Sequence, residues 1–306
     1  MKKGFLVLLA LLMLMTSAAP ARAQEPVKIV TTFYPIYIFA QNVLDGVEGV
    51  EVKNLTHPTT GCLHDYQLLA TDMVTLSRAD ALIINGGGME SFVPMLETQY
   101  PQLPIIDTSE GVDLLLNDAM LSEGHSHDDG HDHDHGDFNS HIWLDPQNAI
   151  KMTQKIAQKA AELLPEKAEQ IMANAASYEQ KLQALDSEIR ESLEGLTRRD
   201  IVTFHEAFPY FAKAYGLNVV AVVALEPEEA LSPQMLKELV EKVKAANLPP
   251  LFTEPQYDDK AAKAVAQETG AKVYELDPVV TGDGAKDAYE TVMRRNVKTL
   301  LEALGD

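Results

Sequence analysis

Nine histidines stand in this 306-residue chain, and seven of them fall between His125 and His205. Neutral imidazole is a borderline ligand that suits zinc, copper and nickel, and nearby carboxylates attract any divalent cation. Residues 124–136 read GHSHDDGHDHDHG, so His125, His127, His131, His133 and His135 alternate with Asp128, Asp129, Asp132 and Asp134. The segment has no apolar side chain to bury, which predicts a mobile loop that captures metal in an auxiliary role.

Three other histidines and one carboxylate lie in more structured surroundings. His64 sits in Gly61-Cys62-Leu63-His64-Asp65-Tyr66, and His141 in Asn139-Ser140-His141-Ile142-Trp143-Leu144-Asp145-Pro146. His205 opens His205-Glu206-Ala207-Phe208, and Asp277 lies in Glu275-Leu276-Asp277-Pro278. Three imidazoles and one carboxylate complete a tetrahedral shell for Zn²⁺. Glu206 and Glu254 are acidic groups placed to orient an imidazole from behind. For Glu206, a helix-capping role is an equal reading.

The surrounding pattern can bring these groups together. Strand-like runs at residues 27–33, 50–55, 80–85 and 103–107 alternate with helical patterns at 36–44, 66–77 and 90–99. The plan repeats with strands at 201–204, 217–223, 250–253 and 271–276 and helices at 207–215, 233–246, 260–268 and 285–304. Such alternation predicts an α/β protein of two lobes, each a mainly parallel four-stranded sheet with flanking helices. Ligands bind beyond the C-terminal ends of parallel strands. His205 and Asp277 fall at such ends, and His64 in the loop leaving one. Each lobe thus offers two groups to one interlobe cleft.

Between the two sets, residues 147–196 are rich in Ala, Leu, Glu, Lys and Gln, all strong helix formers. Pro165 suits a first helical turn. One long connector helix over residues 166–196 should join a lobe at 24–165 to a lobe at 197–306. Its apolar face is Ile171, Ala175, Tyr178, Leu182, Leu185 and Ile189. Asp145 followed by Pro146 reads as a helix cap, and Trp143 as core or lobe interface.

Composition bounds the partners. Against 25 Lys+Arg stand 46 Asp+Glu, a formal net charge of −21. So acidic a chain has no general attraction to nucleic acid or anionic membranes. One cysteine excludes a disulfide framework and a zinc site built on several cysteines. Lys2, Lys3, an apolar run at 4–15 and Ala21-Arg22-Ala23 form a cleavable signal peptide over residues 1–23. A soluble, monomeric periplasmic protein is expected, with no cysteine near the cleavage site to carry lipid.

Several motifs in order carry a family resemblance. They are Thr31-Thr32-Phe33-Tyr34-Pro35-Ile36, His64-Asp65-Tyr66, Ile84-Asn85-Gly86, His141-Ile142-Trp143-Leu144-Asp145-Pro146, Phe204-His205-Glu206-Ala207-Phe208 and Leu276-Asp277-Pro278. With them the chain resembles the periplasmic solute-binding proteins of zinc and manganese ABC transporters, the cluster A-I family. The resemblance covers nearly the whole chain after the leader. It implies two α/β lobes joined by a long helix, an ABC permease as partner, and metal ligands at His64, His141, His205 and Asp277. Manganese members typically carry glutamate at the third of these positions. His205 and the His-rich loop therefore point to the zinc-uptake branch, with Mn²⁺ as the alternative cargo.

Two features depart from the family pattern. Leu63 replaces the usual proline before the first histidine, and the disulfide of many zinc members is absent. Cys62 is then read as a small hydrophobe rather than an auxiliary ligand. A secreted zinc hydrolase with Glu206 as general base is the alternative of another class. It would need an open metal position and a substrate cleft. The chain contains neither His-Glu-x-x-His nor Gly-x-Ser-x-Gly.

Overall fold

A computed structural model describes residues 25–64, 66–117, 138–222, 232–257 and 259–305. The expected signal peptide and the five loop histidines, His125, His127, His131, His133 and His135, lie outside the described residues.

The first lobe runs β1 (Val27–Thr31), α1 (Tyr34–Val43), β2 (Val50–Asn54), α2 (Ala70–Leu76), β3 (Ala81–Ile84), α3 (Val93–Gln99) and β4 (Ile105–Asp107). After a short 3₁₀ turn at Ile142–Leu144 come α4 (Pro146–Leu163) and α5 (Ala168–Glu194). The second lobe holds β5 (Asp200–Thr203), α6 (Pro209–Tyr215), β6 (Asn218–Val222), α7 (Pro233–Ala245), β7 (Leu251–Thr253), α8 (Lys260–Thr269), β8 (Val273–Glu275) and α9 (Ala288–Leu304).

Each lobe has one parallel four-stranded sheet, ordered β2-β1-β3-β4 and β6-β5-β7-β8. Central β3, Ala-Leu-Ile-Ile, is buried along its whole length, as a strand covered on both faces must be. Edge strand β2 alternates exposed and half-buried positions. In both sheets the winding reverses between the two central strands, β1 and β3 or β5 and β7. Such reversals open a crevice at the strands' C-terminal ends.

The long helix forms where its composition predicts it. A 3₁₀ turn at Pro165–Lys167 precedes α5, whose 27 residues span about 40 Å at 1.5 Å per residue. Its buried face holds all six expected apolar residues and adds Asp186 and Leu193. Asp186 is satisfied there by Gln147 Nε2 at 2.9 Å and Tyr215 Oη at 2.9 Å.

The two sheets do not sit on separate cores. One apolar cluster joins Phe33 and Phe39 of the first lobe to Val279, Tyr289 and Met293 of the second. Trp143 fastens the joint, as its type suggested. It is fully buried, with Phe33 edge-on at 5.1 Å. Its Nε1 donates to Pro278 O at 2.7 Å, and its own carbonyl accepts from Tyr289 Oη at 2.6 Å. Helix α9 packs on α5 and α1, so residues 288–304 belong to the packing of both lobes.

Two helices begin later than their periodicity predicts, because a carboxylate organises the preceding loop. Before α2, Asp72 Oδ2 accepts from Tyr66 Oη at 2.7 Å and Leu69 N at 2.8 Å. Before α3, Glu90 turns inward. Its Oε1 accepts from Thr32 Oγ1 at 2.6 Å and Asn85 N at 2.7 Å, and its Oε2 from Gly86 N at 3.0 Å. Glu90 thereby pins the ends of β1 and β3 at their crevice. Gly86 makes this turn with φ +77°, and a Cβ there would sit 1.8 Å from Asp107 Oδ1.

Burial pushes the Glu90 carboxyl up to about 7, against those three donors. A carboxyl raised on folding stabilises the fold at low pH. That contribution is lost as pH rises from the unfolded value of 4.5 through about 7. The shift corresponds to about 3 kcal/mol. Urea midpoints followed from pH 5 to 8 should therefore show Glu90→Gln gaining on the parent as pH rises. Parallel curves would mean that Glu90 is ionised throughout.

Candidate metal centre

Each histidine is fixed by buried neighbours. Leu63, fully buried, anchors the β2–α2 loop beside His64. His141 leads into the fully buried 3₁₀ turn Ile142-Trp143-Leu144. That turn feeds α4, where Asp145 accepts from Gln147 N at 2.9 Å and Pro146 takes the first helical position. His205 lies two residues beyond β5, at the crevice of the second sheet.

Across the lobes the three rings converge. His141 and His205 have centroids 4.7 Å apart, His64 and His141 5.1 Å, and His64 and His205 5.9 Å. His64 Nε2 lies 3.4 Å from His141 Nε2. Cys62 Sγ lies 3.6 Å from the same His141 nitrogen. One ligating atom from each of Cys62, His64, His141 and His205 falls within 4.8 Å of all the others. His141 and His205 are buried, while Cys62 and His64 are half-buried and form the accessible side.

Polar groups stand behind two of the rings. Asn139 Oδ1 accepts from His141 N at 3.0 Å and lies 3.2 Å from His141 Nδ1. With the proton on Nδ1 facing that oxygen, the Nε2 lone pair points into the cluster. Asn139 also reaches the second lobe, donating from Nδ2 to Glu206 O at 2.8 Å. Glu254 stands behind His205, with Oε1 3.4 Å from its Nδ1 and the carboxylate almost wholly buried. The oxygens of Glu254 make no hydrogen bond among the described residues. A buried carboxylate so placed is costly, and a cation at the imidazoles would offset that cost. Burial, reinforced by His205 and His64, holds the His141 imidazole well below its ordinary 6.5. At neutral pH it offers a lone pair.

Asp277, the expected fourth ligand, is not in this group. Its carboxylate is paired with Arg295 of α9, and Oδ1 accepts from Val279 N at 2.8 Å. Asp277 follows the edge strand β8, at the rim of the second sheet, where these partners hold both of its oxygens. Glu206 is half-buried and precedes the first turn of α6, so it does not cap that turn. Its backbone carbonyl, bonded to Asn139, ties it to the site. His57 is exposed, with Thr59 Oγ1 2.8 Å from its Nδ1, outside the cluster. Asn139 and Cys62 are the members that residue types alone under-weighted. Their only signal was spacing, each standing two residues before a histidine.

Comparison with known proteins places the whole fold. Residues 29–303 match the family described as zinc-uptake complex component A, periplasmic. The chain belongs to this family. Its members are solute-binding proteins, not enzymes. The zinc-binding lipoprotein AdcA of Streptococcus pneumoniae is 33% identical over 308 residues, covering 98% of this chain and 60% of AdcA. The chain therefore spans about three fifths of the length of that curated relative. The crystal structure of ZnuA superposes with a TM-score of 0.76 at 27% identity, covering 92% of this chain and 100% of that one. The solute-binding protein FpvC of Pseudomonas aeruginosa, in complex with Mn²⁺, superposes with a TM-score of 0.77 at 25% identity, covering 92% and 98%. Among the described residues no helix is long and apolar enough to cross a membrane.

Proposed function

We propose that this protein captures Zn²⁺ outside the cytoplasmic membrane and delivers it to an inner-membrane ABC permease. The observation that carries the reading is the convergence of His64, His141 and His205 around one point between the lobes. A tetrahedral zinc with bonds of about 2.05 Å to nitrogen places neighbouring nitrogens about 3.35 Å apart. The His64–His141 separation of 3.4 Å meets that requirement. Three buried or half-buried nitrogens, with a buried carboxylate behind one of them, suit a divalent cation. Relatives named for zinc binding support the choice of metal.

Manganese is the second reading, because FpvC binds Mn²⁺ on a similar fold. Manganese prefers carboxylate and carbonyl oxygen, whereas imidazole and thiol suit zinc. The donor set around His205 therefore favours zinc. A hydrolase with Glu206 as general base has no support: Glu206 lies outside the ligand cluster, and the family is not one of enzymes. Export through a cleaved leader at residues 1–23, to the periplasm, belongs to the same proposal.

The His/Asp-rich segment would gather cations without forming the tight site. Zinc titrations against a competing chelator should find one tightly held zinc in the full chain and in a chain lacking residues 124–136. The full chain should hold additional, weaker equivalents. Loss of the tight equivalent on deletion would overturn this division of labour. Retention of manganese in place of zinc, after purification without added metal, would overturn the choice of cargo.

A further inference from the structure

We propose that Cys62, as a thiolate, is the fourth ligand of the zinc held by His64, His141 and His205, in the place expected for Asp277. This rests on the zinc-binding reading above and refines it.

Geometry gives the first argument. With Zn–N of about 2.05 Å and Zn–S of about 2.3 Å, a tetrahedral sulfur and nitrogen lie about 3.55 Å apart. Cys62 Sγ and His141 Nε2 are 3.6 Å apart. Sγ also lies within 4.8 Å of the ligating atoms of His64 and His205, so one ion could reach all four.

The second argument is what Asp277 does instead. Its two oxygens are taken by the Arg295 guanidinium and the Val279 amide, with Gln256 Nε2 a further 3.5 Å from Oδ1. To ligate metal it would have to leave an ion pair in which its own side chain is 7% exposed. The Cys62 sulfur, by contrast, already stands 3.6 Å from a ligating nitrogen, that of His141. Cys62 shares one short loop with His64 and faces the rings.

Chemistry gives the third. A zinc ion beside a thiol makes it far more acidic. As the Zn–S bond forms, the S–H bond breaks, and the proton leaves to solvent on the accessible side of the cluster. A thiolate in place of a carboxylate also makes the site softer, which strengthens preference for zinc over manganese.

Cobalt tests this directly, because Co²⁺ takes the same tetrahedral positions and reports its ligands by absorption. One equivalent of Co²⁺ added to the full chain should give a sulfur-to-cobalt charge-transfer band in the near ultraviolet. Cys62→Ser should abolish that band and weaken zinc roughly tenfold to a hundredfold, while Asp277→Asn, which keeps an acceptor for Val279 N, changes affinity less than about threefold. Bound zinc should also protect Cys62 from iodoacetamide. If cobalt binds stoichiometrically with no such band, or Asp277→Asn weakens zinc and Cys62→Ser does not, the thiolate assignment is overturned and the three-imidazole site stands. If the full chain binds neither metal, both readings fall.

Discussion

Replacement of His205 by alanine is expected to weaken zinc binding by about two to three orders of magnitude. Structural zinc sites with four protein ligands gain about 10–16 kcal/mol in all, so one ligand accounts for roughly 3–4 kcal/mol. At 1.4 kcal/mol per tenfold, that is a factor of about a hundred to a thousand. His205 is central in two ways. Its ring lies nearest to His141, at 4.7 Å, and it is the only imidazole of the cluster from the second lobe. Without it, the metal would be held from one lobe alone, and the buried Glu254 carboxylate would lose the imidazole that faces it. Chelator competition on the His205→Ala protein reads the loss directly. An unchanged dissociation constant would remove His205 from the site and with it the interlobe position of the metal.

The largest structural effect is expected at Trp143. Trp143→Ala should lower stability by about 4 kcal/mol, the usual scale for emptying a fully buried aromatic site. The indole is fully buried against Phe33, and its Nε1 supplies a hydrogen bond to Pro278 O from across the lobe boundary. Trp143→Phe keeps most of the packing and should cost about 1–2 kcal/mol, the price of leaving that carbonyl unpaired. Urea midpoints measured without metal compare the two. A loss under about 1 kcal/mol in the alanine variant would mean that the lobes are held together elsewhere. Because the Trp143 ring also lies 5.2 Å from His141, the alanine variant should weaken zinc as well as stability.

The same joint bears on motion. The lobes share one apolar cluster, α9 reaches back across α1 and α5, and Asn139 links the His141 turn to the His205 loop. Wide hinge opening would have to expose this surface and break these bonds together. Metal entry through the half-buried side formed by Cys62 and His64 avoids that cost.

Much of this was legible in the sequence, for identifiable reasons. Aliphatic β-branched runs alternating with helical periods require parallel sheets with helical cover. The unbroken run of strong helix formers after Pro165 required one long helix. The burial of Ile171, Ala175, Tyr178, Leu182, Leu185 and Ile189 follows from their spacing on it. Asp145 before Pro146 declared a cap, and it is one. His64, His141 and His205 could be singled out because each sits at a strand end or a helix entry.

Tertiary structure decided the rest, because it depends on strand order and on competing partners far apart in the chain. Local sequence shows that Asp277 follows a strand, but not that the strand is an edge or that Arg295 will claim its carboxylate. It shows that Cys62 lies near His64, but not that its sulfur faces a histidine 79 residues away. Glu90 reads as the start of a helix until the chain brings Thr32 to it across the sheet. The sequence by itself determined the elements and the three imidazoles. That Cys62 rather than Asp277 stands beside these rings depends on the tertiary packing, which brings the β2–α2 loop against His141 and pairs Asp277 with Arg295.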